Sequence, residues 1–200
     1  MKELTEIYES MGISPAVYQY GEAFVLMLNT GIRLGEGIGL WKTDRNQANQ
    51  SIHIQRNIQS TKNRDDEGNV TGGVYAEENS PKTFSGDRHI PLNKEAVKAL
   101  DRLCARHPES KWVVCTENGD VVPPDRFERT FYSILKRAGI EKTGMHALRH
   151  TFASNLFAKG VDVKTVSHLL GHSSVKITYD TYIHLIKGVD REAVAVLDED

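Results

Sequence analysis

Five of the eight histidines in this 200-residue chain fall in its last third: His146, His150, His168, His172 and His184. His146/His150 and His168/His172 are each four residues apart, a spacing that turns both rings to one helix face and is often used to hold zinc. Neither pair brings the Glu of the metalloprotease pattern, and no Asp or Cys stands at the usual ligand spacing. The same stretch offers a different chemistry. His146 and Arg149, three apart in Gly144-Met145-His146-Ala147-Leu148-Arg149-His150-Thr151, also share a face. An imidazole beside a guanidinium can clamp an oxyanion, because Arg presents a forked set of donors to phosphate oxygens. Alone, such a pair is commonplace and reads more readily as a solvated polar face. His172 adds to it from Gly171-His172-Ser173-Ser174, a loop before a helix start, where backbone N–H groups and the helix dipole favour an anion. Ten residues further on stands Tyr182, with Tyr179 just before it. A tyrosine hydroxyl, with a pKa of about 10, is a poor nucleophile unless cations and a proton acceptor stand beside it. Arg149, His146 and His172 are the candidates for that company.

Holding these groups together requires helices with defined ends. Ser14-Pro15 reads as a helix start, Phe24, Val25, Met27 and Leu28 as its apolar residues, and Asn29-Thr30-Gly31 as its stop. A short helix follows from Arg33 and ends near Gly37 or Gly39, glycines that weaken it, since each costs about 1 kcal/mol in a helix interior. Ser51 to Gln55 alternates like a half-buried strand. Residues 60–80, rich in Asn, Asp, Glu and Gly with a turn at Asp65 to Asn69, read as a long solvated loop. Pro81 to Phe84 and Arg88 to Pro91 flank Ser85-Gly86-Asp87 as a β-hairpin.

Asn93 caps a helix with Val97, Leu100, Leu103 and Cys104 on its apolar face. Pro124 opens another, faced by Phe127, Phe131, Ile134 and Leu135 and closed by Gly139. Three more run from about His146 to Ala158, from about Val163 to Leu170, and onward from Ser173 or Ser174. No repeat, low-complexity tract or linker divides the chain. These features predict one α+β domain, mainly α with a small antiparallel β-sheet.

Composition narrows the function classes. With 39% apolar and 26% charged residues the chain is an ordinary globular one, long enough to bury a core. No apolar run approaches the roughly 20 residues that cross a bilayer. The first residues lack the basic and apolar stretches of a signal peptide, which points to the cytoplasm. Cys104 and Cys115, each among apolar neighbours, suit neither a disulfide framework nor a zinc knuckle. The balance of 25 Lys plus Arg against 27 Asp plus Glu excludes a polycation that coats nucleic acid. Charge is uneven, however: residues 101–150 hold nine basic and seven acidic side chains, while the chain ends on Asp198-Glu199-Asp200. What a phosphate meets is the local field.

His146-Ala147-Leu148-Arg149, then Leu170-Gly171-His172, then Tyr182 resemble the His-x-x-Arg, Leu-Gly-His and tyrosine motifs of the tyrosine recombinase (phage integrase) family, in the family's order and spacing. Thr30-Gly31-Ile32-Arg33-Leu34-Gly35-Glu36 resembles its first arginine motif, and Pro81-Lys82-Thr83 its hairpin lysine motif. The gap from His172 to Tyr182 and the long loop from Asn57 to Ser80 look most like integrases of conjugative transposons and related mobile elements. The resemblance implies the tyrosine recombinase catalytic-domain fold and DNA cleavage and rejoining through a 3′-phosphotyrosine, with no metal or nucleotide cofactor. It implies that Tyr182 is the nucleophile, that Arg33, Arg149 and His172 hold the phosphate oxygens, and that Lys82 protonates the leaving 5′-oxygen. His146 would accept or orient the tyrosine proton, and Glu36 would buttress Arg33. It further implies a catalytic domain over residues 1–184 and a tail over 185–200 that packs on a neighbouring protomer, with the family's N-terminal DNA-binding modules missing from this chain. The implied partners are double-stranded DNA, other protomers in a synaptic tetramer, and accessory DNA-bending or excision factors.

Several alternatives stay open on the residues alone. They are Tyr179 as nucleophile, Lys82 as a solvated hairpin lysine, a type IB topoisomerase of shared chemistry, a DNA-binding protein with degenerate catalysis, and a zinc hydrolase on the histidine pairs.

Overall fold

Helices whose ends are written into the sequence carry this fold. The computed structural model describes residues 20–64, 67, 70–79 and 86–186. Helix α1 (Gly21–Thr30) stops at Gly31, whose φ of 65° is the left-handed conformation that glycine enters without penalty. The short α2 (Leu34–Ile38) follows at once. The chain then makes strands β1 (Arg45–Asn46), β2 (Ser51–Ile54), β3 (Asn57–Arg64), β4 (Val70–Asn79) and β5 (Arg88–Pro91). Five helices complete it: α3 (Lys94–Arg106), α4 (Pro124–Arg137), α5 (His146–Phe157), α6 (Val163–Leu170) and α7 (Val175–Ile186). The expected α+β class, mainly α, is the one observed.

The expected caps form. Asn93 accepts the Ala96 N–H at 2.8 Å at the start of α3, and Pro124 stands at the start of α4. Asp162 accepts the Thr165 N–H at 2.9 Å to open α6. The main core joins α1, α3 and α4 to the sheet. Phe24 packs at a tilt against Phe127 and Phe131 at centroid distances of 4.6 and 5.3 Å, and Ile52, Ile90 and Leu100 are fully buried. A smaller cluster of Ala153, Val166, Leu170 and Tyr182 binds α5, α6 and α7 together.

β5 pairs antiparallel with β2, His53 opposite His89, in a sheet of order β1-β2-β5. The other arm of the expected hairpin, Pro81 to Phe84, lies outside the described residues. The region expected to be a loop is a two-stranded ribbon, β3 against β4, with Asn57 opposite Asn79 and Thr61 opposite Tyr75. Its polar composition is misleading because such a ribbon needs only one anchored end: Ile58 is 3% exposed, while Ser60 is exposed.

That anchor explains one glycine of α2. A Cβ on Gly35 would lie 2.1 Å from Asn57 Oδ1 and 2.4 Å from the Ile58 carbonyl. Gly35 is what lets β3 lie against the helix, whereas a Cβ on Gly37 would meet Met27 at 3.3 Å and one on Gly39 the Gly35 carbonyl at 2.8 Å. The expected helix start at Ser14-Pro15, Lys82 with its arm Pro81 to Phe84, and the tail beyond Ile186 lie outside the described residues.

Candidate active site

The last carbonyls of a helix have no partner within it and carry the negative end of its dipole. At the end of α6, three arginines take three successive ones. Arg88 Nε donates to the Leu169 carbonyl at 2.8 Å, Arg149 Nη2 to that of Leu170 at 2.6 Å, and Arg33 Nη2 to that of Gly171 at 3.3 Å. Gly171, at φ 65°, ends the helix and turns the chain into His172.

Glu36 supplies a full negative charge to the same cluster. Its carboxylate accepts from Arg33 Nη1 at 2.8 Å and from Arg88 Nη1 and Nη2 at 3.1 and 3.0 Å, and it also accepts the Arg33 backbone N–H at 2.8 Å. Burial alone would raise the Glu36 pKa. The hydrogen bonds and charge of Arg88, with those of Arg33, overcome that and hold it below the usual carboxylate range. Glu36 thus binds Arg33 through both its backbone and its side chain, and Arg88, only 3% exposed, shares the carboxylate.

Arg149 has a second tether, Nη1 donating to the Gly31 carbonyl at 2.9 Å. It is 7% exposed, whereas the Arg33 side chain is 39% exposed. Burial, followed by the charge of Arg33, pulls the Arg149 pKa down to about 9. Like-charged guanidiniums held this close are a standing attraction for an anion.

His172 Nδ1 lies 2.7 Å from the hydroxyl of Thr178, a fully buried residue one turn into α7. Burial and the charges of Arg149, Arg33 and Arg88 press the His172 pKa to about 4, so the ring is neutral near pH 7. In the tautomer where the Thr178 hydroxyl donates to Nδ1, the ring proton is on Nε2 and can be given to a ligand.

Tyr182, on α7, is 3% exposed and packs on Phe157 and His150 at centroid distances of 5.4 and 5.6 Å. Burial raises its pKa, against the charge of Arg149. Its hydroxyl lies 2.8 Å from His150 Nδ1. The family resemblance implies that His146 accepts or orients the tyrosine proton. That residue is exposed at the first position of α5, and with His150, Gly144 and Thr151 it lines an open cleft of about 430 Å³.

The structure thus gathers Arg33, Glu36, Arg149 and His172 around the end of α6, and places Tyr182 where Arg149 acts on its charge. Tyr179 is 45% exposed, and His168 is exposed on α6. Arg88, Thr178 and the contact of His150 with Tyr182 were not found from the sequence. His150 had a signal, its place on the His146 face, while the partners of Arg88 and Thr178 depend on packing. The arrangement can hold a phosphate-like anion with fixed donors and keeps a tyrosine hydroxyl on an imidazole.

The profile of the phage integrase family matches residues 1–188. The chain is 34% identical over 190 residues to a XerC-like tyrosine recombinase of Caldanaerobacter subterraneus subsp. tengcongensis, covering 88% of this chain and 48% of that protein. It is 27% identical over 178 residues to the transposase of transposon Tn916 from Enterococcus faecalis, covering 82% of this chain and 42% of that protein. The chain spans about half the length of these curated relatives. Among solved structures it matches the integrase of transposon Tn1549 in complex with transposon right end DNA. That match has a TM-score of 0.78 and 26% identity, over 97% of this chain and 64% of the other. XerA recombinase matches at TM-score 0.66 and 25% identity, over 100% of this chain and 63% of the other. The expected likeness to integrases of mobile elements is met.

Proposed function

The chain belongs to the phage integrase family, and from that membership we propose that residues 1–184 form the catalytic unit of a site-specific recombinase. It cuts and rejoins double-stranded DNA to integrate or excise a mobile element. The observation that carries this reading is the convergence of Arg33, Arg149 and His172 on the end of α6, with Tyr182 beside Arg149.

Tyr182 attacks the scissile phosphorus, forming a 3′-phosphotyrosine and releasing a 5′-hydroxyl. The bond energy is kept for rejoining. Charge that develops on the nonbridging oxygens is met by Arg33, Arg149 and the Nε2–H of His172, donors fixed before substrate arrives and therefore effective. Lys82 protonates the leaving 5′-oxygen, and His146 lines the cleft beside the reacting groups. Glu36 and Arg88 hold Arg33 in place.

The working assembly is a synaptic tetramer on DNA in the cytoplasm, with the tail over 185–200 packed on a neighbouring protomer and accessory DNA-bending or excision factors setting direction. That the Tn1549 integrase is solved in complex with transposon right end DNA supports DNA as the partner.

Nicked duplexes tiled across the DNA that flanks the coding gene test the reading on denaturing gels. Wild type is expected to give a protein–DNA adduct with one subset of duplexes, and Tyr182→Phe none. An adduct that survives in Tyr182→Phe overturns the assignment. Truncation at Gly188 is expected to weaken assembly of protomers on the reactive duplex, and unchanged assembly argues against the tail contact.

A further inference from the structure

The tyrosine hydroxyl already has a partner, and it belongs to none of the motifs that suggested the site. Tyr182 and His150 meet across α7 and α5, hydroxyl oxygen to Nδ1 at 2.8 Å, with the rings packed at 5.6 Å. An acceptor within about 2.6–3.2 Å of the proton's oxygen is the geometric requirement for a general base. Resting on the recombinase reading above, we propose that His150 is the group that takes the Tyr182 proton in DNA cleavage and returns it in rejoining.

The surroundings suit the role. His150 is exposed and lines the cleft it shares with His146. Tyr182 is buried, so its hydroxyl has few other routes for a proton. The charged or titratable groups acting on His150 are His146 and Arg149 on its own helix, with Tyr182 on α7 and His172 before α7. Burial, then His146 and Arg149, lower its pKa, so the ring is neutral and Nδ1 is free to accept near pH 7.

In the step itself, the Tyr182 O–H bond breaks and its proton forms an N–H bond at Nδ1, giving an imidazolium. The phenolate oxygen bonds to phosphorus as the bond to the 5′-oxygen breaks, and that oxygen takes its proton from the general acid assigned to Lys82. Rejoining reverses each transfer, so no co-reactant is consumed.

The test measures the rate of adduct formation on the reactive nicked duplex for wild type, His150→Ala and Tyr182→Phe between pH 5 and 8. General-base loss typically costs about 10²–10⁴-fold. His150→Ala is therefore expected to slow adduct formation at least about 10²-fold, to lose the acid limb seen in wild type, and to regain rate when imidazole is added. A wild-type rate in His150→Ala, or a slowed variant that imidazole does not help and whose pH profile matches wild type, overturns the proposal. An adduct in Tyr182→Phe overturns instead the nucleophile assignment on which the proposal rests. Histidine ¹⁵N spectra of the DNA-free protein supply a readout that needs no substrate. The proton is expected on Nε2 of His150 at pH 7, with the Nδ1 resonance moved by Tyr182→Phe. A His150 protonated on Nδ1 at that pH, or indifferent to Tyr182→Phe, overturns the proposal whatever the DNA assay gives.

Discussion

Arg149 shows why a charge at this site is not enough. Its two terminal nitrogens reach the Gly31 and Leu170 carbonyls in different directions, a fork that a lysine ammonium cannot reproduce. Arg149→Lys is expected to lower adduct formation by about 10²–10³-fold, the usual loss when one fixed donor to a developing oxyanion is removed, while far-ultraviolet circular dichroism stays native. His172 makes a separate prediction about pH. Its pKa falls from the ordinary 6.5 to about 4 on folding, so the unfolded chain takes up the proton first as pH drops. Stability is therefore expected to decline between about pH 6.5 and 4, with the depressed His150 adding to the same limb. His172→Asn flattens it in thermal denaturation. Glu36 acts lower: its depressed pKa stabilises the fold above the ordinary carboxylate value, and that contribution disappears as pH falls through the folded one.

At the scale of elements, the helices were legible because their ends are local chemistry. Asn93, Pro124, Gly139 and Gly171 each act within a turn of where they stand, and the structure uses them as read. The β3–β4 ribbon was not legible. Periodicity reports burial, and β3 passes from buried Ile58 to exposed Ser60 within two residues, which leaves little apolar pattern to find there. Gly35 misleads for a related reason, since a glycine's helix cost is local while this one makes room for Asn57 and Ile58. Gly35→Ala, a helix-favouring change in isolation, is expected to destabilise the protein by about 1–3 kcal/mol by overpacking and to disturb Arg33 on the same turn. Chemical denaturation with adduct assays checks both, and a more stable variant would contradict this account of the helix. His150 and Tyr182 carry the same lesson for the site, because which imidazole of the His146/His150 face meets the tyrosine is decided by how α5 and α7 pack.

Across the whole molecule, the site is where sequence-distant segments are tied. Arg88 on β5 reaches Glu36 on α2 and the Leu169 carbonyl on α6, and Arg149 on α5 reaches the Gly31 carbonyl after α1. Breaking a buried ion pair from one side leaves an uncompensated charge and costs about 3–5 kcal/mol. Arg88→Met is expected at the lower end of that range in urea unfolding, because Arg33 still pairs with Glu36. Adding Glu36→Gln recovers part of the loss. The same ties mean that the reaction proposed here belongs to the assembled fold, with Tyr182 at its centre. The most direct test is to digest the covalent adduct formed on the reactive nicked duplex and locate the DNA-bearing residue by mass spectrometry. The predicted result is DNA on Tyr182, with adduct formed by Tyr179→Phe and none by Tyr182→Phe. DNA on Tyr179, or an adduct in Tyr182→Phe, contradicts it.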